Sequence, residues 1–245
     1  MKNYSLKTIK ITLRTFILGA CISVGSVLAQ TLPIADNLIG FNTDEGESLL
    51  VKSKSREDFI PLSMHFVTQK NQAYCGVASI VMVLNALGIP APESEKYKPY
   101  RVFTQENFFS NKAAVKVIAP EVVSRQGMTV QELGKLLGSY QAKARVYHAG
   151  NTTLEEFRKL ATNNLKQSEN FIIINYLRRA MGQKRGGHIS PIAAYNKETD
   201  RFLILDVSRY KYPPVWVKTA DLWKAMNTVD PVSGKTRGFV LVSKI

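Results

Sequence analysis

Five short runs rich in β-branched and aromatic residues, at 171–176, 188–195, 201–208, 215–217 and 238–243, are each closed off by turn-forming residues. Runs this short and this closely spaced read as the strands of an antiparallel sheet. The half before residue 170 has a different rhythm. From Cys75 a nearly unbroken apolar run (Val77, Ala78, Ile80 to Leu84, Ala86, Leu87) is stopped by Gly88 with Pro90 behind it. That pattern predicts a buried helix beginning at or just before Cys75. Two amphipathic helices are expected over 129–140 and 152–165, because Thr129 with Glu132 and Thr153 with Glu156 have capping-box spacing. Residues 30–60, broken by Pro33, Gly40 and the acidic Asp44-Glu45-Gly46-Glu47, read as an extended lead-in. Helices gathered early and strands gathered late give an α+β chain, a helical lobe against an antiparallel sheet lobe with a cleft between them. A length of 245 residues suits one such domain.

The first 29 residues stand apart from it. Lys2, Lys7, Lys10 and Arg14 come with no acid, an uncharged run follows from Thr15, and Val27 and Ala29 occupy the minus-three and minus-one places of a signal peptidase site. This predicts a cleavable signal peptide over 1–29, a mature domain over 30–245 and export to the periplasm or another extracytoplasmic space. The apolar run is about half of the ~20 residues a spanning helix needs, so no stable membrane anchor is expected. A lipid-attachment box at Leu18-Gly19-Ala20-Cys21 is the weaker alternative. Loss of the four leader cations would lower the net charge from +14 to +10. The remaining cations are dispersed, with pairs only at Arg178-Arg179 and Lys184-Arg185, which is no nucleic-acid footprint. Of two cysteines, Cys21 would leave with the signal and Cys75 would remain without a disulfide partner, as an inert core thiol or a reactive one.

A histidine and a carboxylate flank the turn at 196–200. With the hairpin centred at 197, His188 faces Asp206; centred at 198, it faces Ser208 with Asp206 one diagonal step away. Either integral centre puts both on one face, within reach of a bond from imidazole Nδ1 to the carboxylate. A purely structural ion pair is the plain alternative, but Gly186-Gly187 just before His188 would let the backbone approach a bound molecule. A thiol at a helix start, as Cys75 is expected to be, is biased toward thiolate by the unpaired N–H groups and the dipole there. Six residues earlier, Gln69 has an amide that could join the Cys75 N–H as an oxyanion donor. Glutamine, cysteine, then histidine and acid on later strands is the papain-like order. His65 and His148 have no carboxylate across a hairpin and read as surface or structural. No cysteine–histidine spacing suits a metal, so none is expected.

The blocks Gln69-x5-Cys75-Gly76-x-Ala78-Ser79, Gly186-Gly187-His188-x-Ser190-Pro191-Ile192 and Leu205-Asp206-Val207-x-Arg209-x-Lys211-Tyr212-Pro213-Pro214-x-Trp216-Val217 resemble the phytochelatin synthase family in its short bacterial or cyanobacterial form, over roughly residues 50–243. The resemblance implies a papain-like fold and a dipeptidyl transferase acting on glutathione. Cys75 would be the nucleophile, His188 the base and then acid, Asp206 the orienter and Gln69 the oxyanion donor. Thr68, Asn175, Gly187, Arg209, Asp230 and Arg237 would contact substrate. It implies a homodimer and no cofactor, heavy-metal ions entering only as glutathione thiolates. The plant enzymes carry a cysteine-rich C-terminal extension tied to metal sensing, whereas this sequence stops at Ile245. Hydrolysis of glutathione to γ-glutamylcysteine and glycine is therefore expected to dominate over chain extension. Two alternatives stay open: a papain-like peptidase cutting after double-glycine leaders, and an exported binding domain with an inert thiol.

Overall fold

The strong β-formers after residue 170 assemble into the expected antiparallel sheet, here seven-stranded, in a computed structural model that describes residues 31–245. The signal read over 1–29 lies outside the described residues. In chain order the elements are β1 (Ile39–Gly40), α1 (Asp44–Lys52), α2 (Phe59–Met64), α3 (Cys75–Ala86), α4 (Lys112–Val117), α5 (Pro120–Gln126), α6 (Val130–Gly138), β2 (Ala142–His148), α7 (Leu154–Asn164), β3 (Asn170–Leu177), β4 (Gly187–Asn196), β5 (Arg201–Ile204), β6 (Val215–Lys218), α8 (Thr219–Met226) and β7 (Gly238–Lys244). The sheet order is β1-β6-β5-β4-β3-β7-β2. The α+β class is therefore as expected, and Thr129 and Thr153 cap α6 and α7 as their spacing predicts.

The helices of the first half, α1 to α6, gather on one face of the sheet as expected, and two later helices cover the other. Phe171 and Ile173 of β3 face one core with α3 and α6, while Ile172 and Ile174 face a second core with α7 and α8. The sheet thus lies between two helical layers. The cause was visible in the run Phe171-Ile172-Ile173-Ile174, which is apolar without alternation, as a strand covered on both faces must be.

Two elements correct the reading of the first half. The expected extended lead-in contains α1. Thr43 accepts a 3.1 Å bond from the Gly46 N–H, and Asp44, Glu45 and Glu47 sit in the first turn at the positive end of the helix dipole. The acidic cluster is thus a helix start. Strand β2, also unread, pairs with β7 along its full length; Ala144 and Val146 pack on the core while Lys143 and Arg145 are exposed. Among the described residues no helix is long and apolar enough to cross a membrane.

The β4–β5 hairpin places the histidine and the carboxylate, though by a route more indirect than an integral centre. Asn196 pairs with Arg201 and Tyr195 with Phe202, a half-integral centre that alone would put residues 188 and 206 on opposite faces. A register shift between Ile192 and Ala194 adds one residue, so that Ile192 pairs with Ile204. Ala193 and Ala194 both pack in the same core, as a bulge requires. This extra residue restores the parity that brings Asp206 to the face of His188. Strand β5 ends at Ile204, short of the expected 208. Pro191 accepts from the Leu205 N–H at 3.0 Å and has no N–H to return, so the ladder stops and the chain peels away at Asp206.

Candidate active site

Helix α3 presents its first residue, Cys75, to the end of β4. The capping residue Tyr74 supplies no side-chain acceptor, which leaves the first-turn N–H groups directed at the thiol's surroundings. Ser79, one turn on, donates to the Cys75 carbonyl at 2.8 Å and lies 3.2 Å from the Ile189 carbonyl, tying the helix start to β4. Burial pushes the thiol up, but the influence of His188, the Ile189 amide and the Arg178 charge on the thiolate outweighs it, and Cys75 titrates below its ordinary value of 9.0.

His188 Nε2 donates to Asp206 Oδ1 at 2.9 Å. This corrects the expected use of Nδ1: a carboxylate on a chain leaving the ladder meets the ring at its far edge, and Nδ1 is left for the thiol. Tyr176, directly opposite on β3, holds the ring edge-to-face at a centroid distance of 5.7 Å. Burial disfavours the imidazolium, yet Asp206 raises His188 above its ordinary 6.5 despite the opposing Arg178 charge. Asp206 is fully buried; its desolvation is overcome by His188 and Arg178, and it titrates well below the usual carboxylate range.

Arg178, in sequence half of a cation pair, is 3% exposed. Its Nη2 donates to Asp206 Oδ1 at 2.9 Å. Nη1 lies 2.7 Å from Asp206 Oδ2 while donating to Gln183 Oε1 at 2.7 Å. The guanidinium stacks 5.1 Å over the Tyr212 ring, and the Ser208 N–H gives Asp206 Oδ1 a further bond of 2.8 Å. With Tyr176 opposite His188, Arg178 falls beside Gly186, whose carbonyl accepts the Arg178 N–H at 3.0 Å.

Gln69 is buried, and its amide protons are both engaged. Its Nε2 donates to the Asn71 carbonyl at 2.6 Å and to the Tyr210 hydroxyl at 3.1 Å, which occupies both protons. To join the Cys75 N–H as an oxyanion donor, Gln69 would have to give up one of these two bonds.

Cys75 and His188 open into a cavity of about 620 Å³. Of the expected substrate contacts, Asn175, Gly187, Asp230 and Arg237 line it; Thr68 and Arg209 do not. The Thr68 carbonyl is taken by Gln105 Nε2 at 2.9 Å, and the turn that follows Asp206 sends Arg209 outward to stack 4.7 Å over Phe66. His65 and His148 are likewise outside the cavity. Arg237 is 5% exposed and donates through Nη1 to the Val229 carbonyl at 2.7 Å, while its Nε is buried with no partner among the described residues. A Cβ on Gly187 would stand 3.2 Å from Arg237 Nη2 and 3.3 Å from Nε, so this glycine clears the approach to the guanidinium. Gly187→Val is expected to raise KM roughly tenfold or more by displacing that guanidinium, while alkylation of Cys75 by iodoacetamide keeps its wild-type rate. An unchanged KM would remove the cation from the binding account.

Residues 29–239 match the sequence model of a family described as phytochelatin synthase. Glutathione gamma-glutamylcysteinyltransferase 1 of Lotus japonicus is 36% identical over 210 residues, 84% of this chain and 40% of that protein. The protein of the same name in Arabidopsis thaliana is 35% identical over 227 residues, 91% of this chain and 45% of the other. Glutathione gamma-glutamylcysteinyltransferase of Schizosaccharomyces pombe is 25% identical over 208 residues, 83% and 48% of the two chains. The chain spans less than half the length of these relatives. A solved structure, the Prevotella intermedia interpain A cysteine protease, overlays at a TM-score of 0.40 with 13% identity over 78% of this chain and 92% of the other, too loose a likeness to build on.

Proposed function

The chain belongs to the phytochelatin synthase family, and from that membership we propose that it cleaves the Cys–Gly bond of glutathione and passes on the γ-glutamylcysteinyl group. The observation that carries the reading is the buried file of thiol, imidazole, carboxylate and guanidinium opening beside a cavity that holds an unsatisfied arginine N–H.

The Cys75 thiolate attacks the cysteinyl carbonyl, and the N–H groups at the start of α3 receive the developing oxyanion. His188 transfers its proton to the departing glycine nitrogen, leaving a γ-glutamylcysteinyl thioester on Cys75. Its imidazole then takes a proton from the second nucleophile. Water yields γ-glutamylcysteine, and the amine of a second glutathione yields a phytochelatin. Arg237 is assigned the α-carboxylate of the γ-glutamyl group, Asp230 its ammonium and Asn175 a polar contact between them. Export by way of the 1–29 signal and pairing into a homodimer belong to the same proposal.

Release of glycine from glutathione, compared with release from the α-linked isomer Glu-Cys-Gly, tests the reading. The isomer moves the carboxylate and ammonium away from Arg237 and Asp230 and is expected to lose roughly 100-fold in kcat/KM. Equal turnover of the two would refute recognition of the γ-glutamyl end. A pH profile follows from the same geometry. A thiol lowered from 9.0 and an imidazole raised from 6.5 widen the window in which the thiolate–imidazolium pair exists. The acid limb of kcat/KM is expected below the range of a free thiol, and the alkaline limb, where the imidazolium is lost, above that of a free imidazole. An acid limb at the ordinary thiol value would show an unactivated sulfur.

A further inference from the structure

His148 takes no part in the mechanism above, yet its ring is built into the segment that carries Arg237. It closes β2 opposite Gly238 of β7, and its Nδ1 lies 2.6 Å from the Thr236 carbonyl. A carbonyl can only accept, so Nδ1 carries the proton and the neutral ring has a bare Nε2, which is buried without a partner among the described residues. The next two residues grip the same segment: the Ala149 N–H donates to the Arg237 carbonyl at 2.8 Å and the Gly150 N–H to Thr236 Oγ1 at 2.9 Å. Three consecutive residues thus hold two consecutive residues, one of them the arginine whose Nε is left open toward Gly187.

We propose that His148 is a positioning residue for substrate binding: by fixing the Thr236 carbonyl it sets where the Arg237 guanidinium meets the carboxylate of a γ-glutamyl thiol peptide. The inference rests on the assignment of Arg237 made above. An arginine that binds a carboxylate through two parallel bonds tolerates little displacement, and Arg237 has only its backbone and one anchored nitrogen, Nη1, to locate it. The Arg237 N–H is held by the Thr228 carbonyl at 2.9 Å, and the rest of the backbone placement passes through the β2 end, where the His148 ring and the N–H groups of Ala149 and Gly150 converge. Because His148 does not line the cavity that holds Cys75, its loss should weaken binding and leave the chemical step alone.

Steady-state turnover of glutathione separates the possibilities. His148→Phe keeps a ring at the β2 end but offers the carbonyl no donor, and it should raise KM by roughly 3- to 10-fold, the worth of one hydrogen bond, with kcat within about twofold of wild type. His148→Asn, whose amide N–H can stand in for Nδ1–H, should bring KM back toward the wild-type value. In an Arg237→Ala background His148→Phe should add nothing, since the group it positions is gone. An unchanged KM in His148→Phe, or an equal rise in the Arg237→Ala background, overturns the positioning role. If Arg237→Ala by itself leaves KM where it was, the assignment of Arg237 fails and the role of His148 falls with it, a result distinct from the other two. Should His148→Phe not fold, His148→Ala is judged by the same criteria.

Discussion

Arg178→Met is expected to destabilise the protein by about 3–5 kcal/mol, because it strands a buried carboxylate without its countercharge. Asp206 is fully buried, and Arg178 supplies a 2.9 Å hydrogen bond and a 2.7 Å ion contact to it. The imidazolium is the remaining cation, and it is charged only below its own pKa. The loss should therefore grow as pH rises through the raised pKa of His188, where Asp206 would have neither partner. Methionine keeps the aliphatic stem of arginine but gives up the guanidinium's contact with Tyr212 along with its charge, so only a loss well beyond one cation–π contact, and beyond that of Gln183→Met, which removes one acceptor of Nη1, would belong to the ion pair. Urea denaturation at two pH values reads both. A change below about 1 kcal/mol at either pH would mean that water reaches Asp206 and that the guanidinium does not govern the carboxylate.

Cys75→Ser is expected to lower glutathione turnover by roughly 10⁴-fold or more, since the hydroxyl is a far weaker nucleophile at neutral pH and the rest of the site acts only through it. Folding should be nearly unaffected. The serine oxygen fits the space of the sulfur beside His188. Residual turnover within about tenfold of wild type would place the chemistry on another group. A lost fold would show Cys75 to be a core residue first. Among the described residues Cys75 is a free cysteine.

What the sequence disclosed about this site depended on how local the physics was. The start of α3, the capping box of α6 and the strand runs after residue 170 are set by neighbours a few positions apart, and they form as their patterns indicate. The meeting of His188 and Asp206 was anticipated from hairpin parity, but it depends on a bulge at Ala193 that no turn signal specifies. Arg178 was hidden because the strand register that brings it beside Gly186 couples residues across a loop. Gln69 shows a different limit. A glutamine at the right distance in sequence does not reveal where its amide points, and Asn71 and Tyr210 claim both its protons. Helix α1 was missed because Asp44-Glu45-Gly46-Glu47 looks like a breaker until Thr43 is recognised as its cap.

The most direct measurement is mass spectrometry of the protein after brief exposure to reduced glutathione, with the peptide that contains Cys75 analysed under reducing conditions. A γ-glutamylcysteinyl adduct on that peptide, accompanied by an equivalent of free glycine, is the predicted result. An unmodified peptide, or one carrying the whole tripeptide, would contradict capture of the substrate by the sulfur with loss of its last residue.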